Sequence, residues 1–446
     1  MSLKRLRDGK RSAAAVVAAL LMWAMLTAGA STAQAYDTPW ATGLSDPQDL
    51  VISVATFSPG DSVESWFGHT GLIVEDRRYN VSRLYNYGMF NFDRDMLLRF
   101  AQGRLWFWVA PTSVPRTYQL YAGLDRDIRL VELNIPPERR MEVARYVSEN
   151  VRPENREYLY HHYDDNCSTR IRDIIDLAVG GQFGEALGEK RGRWTLREHT
   201  RRHSGHLPPM DWVLMFLMNG DIDGPSTVWE EMFLPEELER QLLKFDWVDQ
   251  EGNLQPLALR THLVYESEDR EPVPEEPARH WPYWLLVGLG IGALGVLVGK
   301  IGQSRRGRGS RIGYGLYHVG VGLLVGIPGL VLGIMAAMTD HTVTYWNQNL
   351  FWANPATFLV LVLAVGVMLG KERARRGLVK LWLLLAAVAA VGVVVTLVGL
   401  VVPGLSQDMS LTIPSIVPII IGSTVGAWLY DGRLIRPAGS ENREEE

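Results

Sequence analysis

The residues best placed to do chemistry lie in Asp164-Asp165-Asn166-Cys167-Ser168-Thr169-Arg170, which holds the only cysteine of the 446-residue chain. Asn166 or Asp165 suits a helix N-cap. Cys167 and Ser168 would then sit in the first helical turn, where unpaired N–H groups and the helix dipole favour an anion. That suits a thiol, because the thiolate is the nucleophile and a free cysteine, with a pKa of about 8.5, is mostly protonated at neutral pH. The same N–H groups, shaped by Asn166 and Ser168, suit the oxyanion of a tetrahedral intermediate. A buried structural cysteine is the competing reading, and on local sequence alone the two stand level.

A nucleophile of this kind needs a base. His69, in Phe67-Gly68-His69-Thr70-Gly71, opens a predicted strand, and the flanking glycines allow close approach. A hairpin centred between Arg77 and Arg78 sets His69 opposite Asn86. The Asn86 amide would then hold the imidazole tautomer, with Tyr87 as the neighbouring alternative. The other histidines include His161, His162, His199, His203 and His206, and they form no His-Glu-x-x-His pattern. No metal and no cofactor is expected. The cluster of Arg197, Arg201 and Arg202 with His199, His203 and His206 is expected to meet lipid headgroups or to form a solvated face.

Around these residues the sequence predicts strands over 49–57, 70–75, 81–87, 105–109 and 128–133, from alternating apolar positions and turn signals. Helices are predicted over 136–150 and from Cys167 to the stop at Gly180-Gly181. The fold class is an α+β domain with an antiparallel sheet. Residues 210–218, MDWVLMFLM, suit either a plain core helix or an acyl-binding, membrane-facing wall.

Two features place this domain outside a membrane. A basic start (Lys4, Arg5, Arg7, Lys10, Arg11), an apolar run over 13–28 and Ala33-Gln34-Ala35 read as a signal peptide over 1–35. Five apolar stretches follow the soluble part, at 281–298, 312–338, 350–370, 378–402 and 411–430. Each is near the ~20 residues that span a bilayer core. Lys and Arg crowd the loops at 300–311 and 371–376, while 339–349 and 403–410 have none. The positive-inside rule makes the basic loops cytoplasmic and 36–265 periplasmic, with a cytoplasmic tail at 431–446. Residues 266–280, acidic and proline-bearing, read as a solvated tether. Gly288-Leu-Gly290-Ile-Gly292 reads as helix packing. Trp346 and Trp352 are expected to anchor at the interface. A net charge of -5 argues against a nucleic-acid partner.

FGHTGL, LYNYGMFNFD, Pro153-Glu154-Asn155 and Tyr158-x-Tyr160 leading to DDNCSTR resemble, in that order, the Lnb family of bacterial lipoprotein N-acyltransferases. The resemblance continues through Thr339-Asp340-His341, Asn347, Asn349 and Asn354-Pro355 in the membrane part. It implies Cys167 as nucleophile and His69 as base, in a circularly permuted NlpC-type, papain-like periplasmic domain followed by an all-α five-span transmembrane domain. It implies a bacterial inner-membrane enzyme with a phospholipid acyl donor, a diacylated lipoprotein acceptor and the lipid bilayer as partners. A role for the external loop around His341 and Asn347 in receiving headgroup or lipoprotein is a further expectation. The alternative is a periplasmic cysteine peptidase or amidase acting on cell-wall peptides. A non-catalytic scaffold is disfavoured by the presence of both His69 and Cys167.

Overall fold

The computed structural model describes residues 37–90, 94–305, 307–402 and 404–431. The predicted signal peptide and nearly all of the predicted tail lie outside the described residues. Strand β1 (Leu50–Phe57) is apolar at almost every position and buried along nearly its whole length, as a strand covered on both faces must be. It pairs with β2 (His69–Asp76), and the sheet continues outward through β3 (Val81–Met89) and β4 (Trp106–Thr112) to the short edge strand β6 (Glu157–Leu159). On its other side β1 pairs with β5 (Ile128–Leu133), and β7 (Ala258–Tyr265) closes that edge, all antiparallel.

Five of these strands overlap the predicted ones, β4 running on past its predicted end to Thr112. β6 is too short to register in a sequence pattern, and β7 is exposed on most residues, so it lacks the apolar alternation that would mark it. Helix α1 (Arg94–Ala101) follows β3, and α2 (Val114–Gly123) covers one sheet face, burying Val114 and Tyr121 against Phe57, Ile73 and Leu84. The other face packs on α3 (Pro137–Asn150), α4 (Cys167–Ala178) and a later helix over Pro235–Leu242, through Leu72, Val74, Val147, Ile171, Ile175 and Leu238.

The β2–β3 turn differs from expectation in a way that matters for chemistry. Asp76 pairs with Val81, so the loop is the four residues 77–80, fastened by Tyr79 N–H donating to Asp76 Oδ1 at 3.0 Å. Asn80 takes the left-handed conformation there, which asparagine tolerates. The turn is therefore centred one residue later than predicted, between Arg78 and Tyr79. Leu72 stands opposite Tyr85, and the same register carried on sets His69 level with Gly88. A shift of two along one strand keeps every side chain on its face, so Asn86 stays a diagonal neighbour of His69.

Helices α5 (Leu196–Ser204) and α6 (Pro208–Leu217) join this domain to a helical region. Among the described residues, four helices are long and apolar enough to cross a membrane: Trp281–Ser304, Arg308–Met338, Glu372–Gly399 and Thr412–Asp431. The predicted third span is instead a pair, Thr342–Phe351 and Pro355–Met368, bent by 60°. Pro355 has no N–H to continue a helix and disfavours helical backbone at Asn354. The first and last of these helices pack through glycines. A Cβ on Gly292 would stand 2.3 Å from Pro418 O, and one on Gly422 would stand 2.2 Å from Gly292 O. Gly288 joins this contact, whereas Gly290 faces open space.

Apart from the exposed His206, the basic cluster is buried rather than solvated or headgroup-facing. Arg197 is 1% exposed, ion-paired with Asp223, and donates to the carbonyls of Met215, Met218 and Asn219. Arg202 pairs with Glu236 and Glu237, and His199 Nε2 lies 2.8 Å from Glu231. Carboxylates from distant segments neutralise the helix, which the local sequence does not reveal. Helix α6 then docks on the helical region. Trp212 Nε1 donates to Ser415 Oγ at 2.9 Å, and Asn347 and Asn349 donate to Phe216 O at 3.2 and 2.8 Å. Trp352 is buried rather than interfacial, while Trp346 is 97% exposed. Residues 266–280 run along the domain as a bound strap instead of a free tether. Ser267 Oγ donates to Asp127 at 2.6 Å, Arg270 pairs with Asp61, and Glu275 pairs with Arg193.

Candidate active site

Cys167 is the first residue of α4, and its N-cap is Asn166. Asn166 Oδ1 accepts from Ser168 N and Thr169 N at 2.7 and 3.0 Å, while Thr169 Oγ1 accepts from Asn166 N at 2.8 Å. This reciprocal capping satisfies donors that the helix start would otherwise leave open. Asn166 Nδ2 also donates to His162 O and Phe233 O, and Ser168 Oγ donates to Met232 O at 2.7 Å. Both residues flanking the thiol are therefore anchors that fix where α4 begins.

His69 opens β2, with its ring parallel to Tyr121 at 6.2 Å and to Phe57 at 6.0 Å. Its Nε2 donates to Asn86 Oδ1 at 2.8 Å. An amide oxygen only accepts, so the ring proton sits on Nε2 and Nδ1 keeps its lone pair. Gly88 joins the two candidate groups. It lies at a bulge between Tyr87 and Met89 with φ +99°, a backbone state that suits glycine. A Cβ there would stand 3.8 Å from His69 Cε1 and 3.9 Å from Cys167 Cβ. Imidazole and thiol thus converge above one bare backbone position. Tyr87, the alternative third residue, turns to the opposite face and packs in the core with Tyr158.

Burial sets the resting charges. It pushes the Cys167 thiol up to about 11, against the opposing pull of the Thr70, Cys167 and Ser168 N–H groups and of Arg126. It pulls His69 down to about 4, opposed by the Asn86 hydrogen bond, with Arg126 lowering it further. The helix start therefore moderates the thiol but does not ionise it at rest, contrary to what local sequence suggests. At neutral pH the pair is thiol and neutral imidazole, with an open Nδ1.

The structure brings together Cys167, His69 and Asn86, which the sequence singled out, and adds Gly88, the Thr70 N–H, Tyr121 and Arg126 around them. Gly88 carried a usable signal, an isolated glycine inside a strand pattern. In the segment before α4, Tyr160 stacks on Phe107 at 4.4 Å and Phe107 on Phe90 at 4.9 Å, a half-buried aromatic row. At the same sheet edge Trp106 and Leu159 form an exposed cross-strand pair. The loop around His341 and Asn347 makes protein contacts. Arg104 pairs with Asp340 at 2.7 Å, His341 Nε2 donates to Phe100 O at 2.8 Å, and Asn354 caps its own turn.

Two family models match the chain: Lnb N-terminal periplasmic domain over residues 36–202 and Lnb transmembrane domain over residues 307–430. The first contains His69, Asn86 and Cys167. No curated protein and no solved structure matches.

Proposed function

This chain belongs to the Lnb family of membrane-bound lipoprotein-modifying enzymes, and from that premise we propose that Cys167 carries an acyl group between two lipid substrates. The observation that carries the reading is the convergence of Cys167 and His69 over Gly88, with His69 Nε2 tied to Asn86 so that Nδ1 is the free base. His69 Nδ1 takes the thiol proton as sulfur attacks the carbonyl carbon of a lipid ester, and the carbonyl π pair moves onto oxygen. Collapse breaks the ester C–O bond, and the leaving alkoxide takes the proton from His69. The acyl group remains on Cys167 as a thioester. The α-amine of a diacylated lipoprotein then attacks, His69 accepts its proton, and the thiolate leaves and recovers that proton.

The half-buried row Phe90–Phe107–Tyr160 supports an apolar substrate, since it offers an acyl chain an apolar surface on the catalytic domain. A phospholipid is the donor in this reading, and the bilayer delivers both substrates. His69 preceding Cys167, with the cysteine helix packed on an antiparallel sheet, supports a circularly permuted papain-like fold. The placement of charge supports the orientation. The Gly370 turn lies against Arg311, and Arg375 lies 3.3 Å from Asp431. The basic loops and the final helix end thus share one end of the bundle, and we assign that end to the cytoplasm.

The test is to express the full chain in bacteria depleted of their own lipoprotein N-acyltransferase, with the phospholipid acyl chains isotopically labelled. Mass spectrometry of lipoprotein N-termini should show a labelled N-acyl group with wild type and none with Cys167→Ala. N-acylation that persists in Cys167→Ala overturns the mechanism. An N-acylated product that has lost one O-acyl group would place the donor ester on the lipoprotein's own glyceryl moiety. Cleaved cell-wall peptide without acyl transfer would establish the peptidase alternative.

A further inference from the structure

Arg126 is a charge without a partner in a place where charge is costly. It follows α2 and is 5% exposed. Its Nε donates to Ser58 O at 2.5 Å, while Nη2 is buried with no hydrogen-bond partner. Among the described residues no carboxylate forms an ion pair with it. Asp61, which it senses, is paired with Arg270 at 2.9 Å, so the neighbourhood holds a second cation as well. A buried cation normally sits in an ion pair, because removing it from water costs several kcal/mol or more. Here the compensating anion is missing from the resting protein.

Geometry indicates where that anion forms. The guanidinium lies 4.6 Å from the centre of the Tyr121 ring, and that ring stacks parallel to His69 at 6.2 Å. Arg126 acts on both Cys167 and His69. The other groups facing the thiol are neutral. They are His69 from β2, Tyr121 from α2, and Tyr158 and Tyr160 from the segment before α4, whose hydroxyls burial holds above their ordinary range. Arg170, on α4, is spent on Asp165 and covers Tyr158.

We propose that Arg126 is a positioning residue, left uncompensated so that negative charge developing at Cys167, as thiolate and then as the acyl oxyanion, becomes its partner. A preorganised charge in a site poor in water stabilises such an anion without reorganisation. This rests on Cys167 being the nucleophile, but it is testable without any lipid.

The experiment uses full-length protein in nanodiscs, where Cys167 is the sole thiol, and follows alkylation by iodoacetamide from pH 6 to 11. In that reaction a C–S bond forms and iodide leaves, so the rate reads thiolate. Arg126→Met should lower the alkylation rate about tenfold below about pH 10, the equivalent of a rise of about one pH unit in the thiol's titration. Arg126→Lys, which keeps the charge, should stay within about threefold of wild type. The unfolding temperature of Arg126→Met should be unchanged or higher, since a costly buried cation is gone. Identical alkylation profiles in wild type and Arg126→Met overturn the proposal. So does a methionine variant that only raises KM for a phosphate-bearing donor, which would make Arg126 a phosphate clamp. If Arg126→Met does not fold, a Lys variant that shifts as far as one pH unit overturns it too, because charge alone would then not suffice. Failure of acyl transfer with the expected alkylation behaviour would count against the lipid reading and leave Arg126's role standing.

Discussion

The Asn86–His69 hydrogen bond can be tested quantitatively. At 2.8 Å it fixes the proton on Nε2 and leaves Nδ1 to receive the thiol proton. In the resting pair this is a neutral bond contributing about 0.5–1.5 kcal/mol, but once His69 is protonated it becomes a bond to a cation contributing about 1.5–3 kcal/mol. Asn86→Ala removes that difference and lets the ring take the tautomer with hydrogen on Nδ1, which cannot accept a proton. A combined loss of about 2–3 kcal/mol corresponds to a fall in kcat/KM of roughly 30- to 150-fold. Asn86→Asp should act differently. A carboxylate with its charge about 4 Å from the imidazolium, at an effective dielectric of ~20, favours the protonated ring by about 4 kcal/mol, or roughly three pKa units. His69 would move from about 4 to near neutrality. Protonated imidazole cannot act as base, so the acid limb of the pH–rate profile should rise by about the same three units. The assay is the initial rate of N-acylation of a diacylated lipopeptide in nanodiscs between pH 4 and 9. Rates within twofold of wild type for Asn86→Ala, or an unmoved acid limb in Asn86→Asp, would refute the assignment of Asn86 as the group that orients His69.

Three further outcomes are expected. Gly88→Ala forces a side chain into the φ +99° conformation and between imidazole and thiol, so thermal unfolding should show a loss of about 1–3 kcal/mol while acyl transfer falls more than stability does. Arg197→Met leaves Asp223 buried without its partner, which should cost about 3–5 kcal/mol and expose the α5–α6 junction to protease. An undiminished unfolding temperature would mean that the junction does not depend on this pair. Gly292→Leu drives a side chain into the Pro418 carbonyl and should separate the first and last helices, read as lost crosslinking between cysteines introduced on either side in a Cys167→Ser background.

Much of this site was readable in one dimension, and the reasons are local. Asn166 followed by Cys167 and Thr169 is a capping pattern completed within four residues. His69 and Asn86 belong to one hairpin, and the two-residue error in their register was harmless because it preserved the face. What stayed hidden depends on distant partners. Nothing near Arg126 or Tyr121 marks them, and they reach the site only because α2 folds back over β1 and β2. The basic run of α5 looked like a surface because its counter-charges arrive from Asp211, Asp223, Glu231, Glu236, Glu237 and Asp408. The thiol's resting state was hidden for a similar reason. Burial is a property of the packed domain and outweighs what the helix start contributes.

The glycine contact between Trp281–Ser304 and Thr412–Asp431 also bears on biosynthesis. Among the described membrane helices, the first to be translated finds its mate in the last. Until then its small-residue stripe faces lipid or temporary neighbours, and the loop that donates Asp408 and Gln407 to the α5–α6 junction has not been translated. The domain can fold early, but it is locked in place only once Thr412–Asp431 has been made. A chain cut short before Thr412 would therefore display the domain without fixing it, and quality control that recognises unpaired membrane helices would have its signal in that interval.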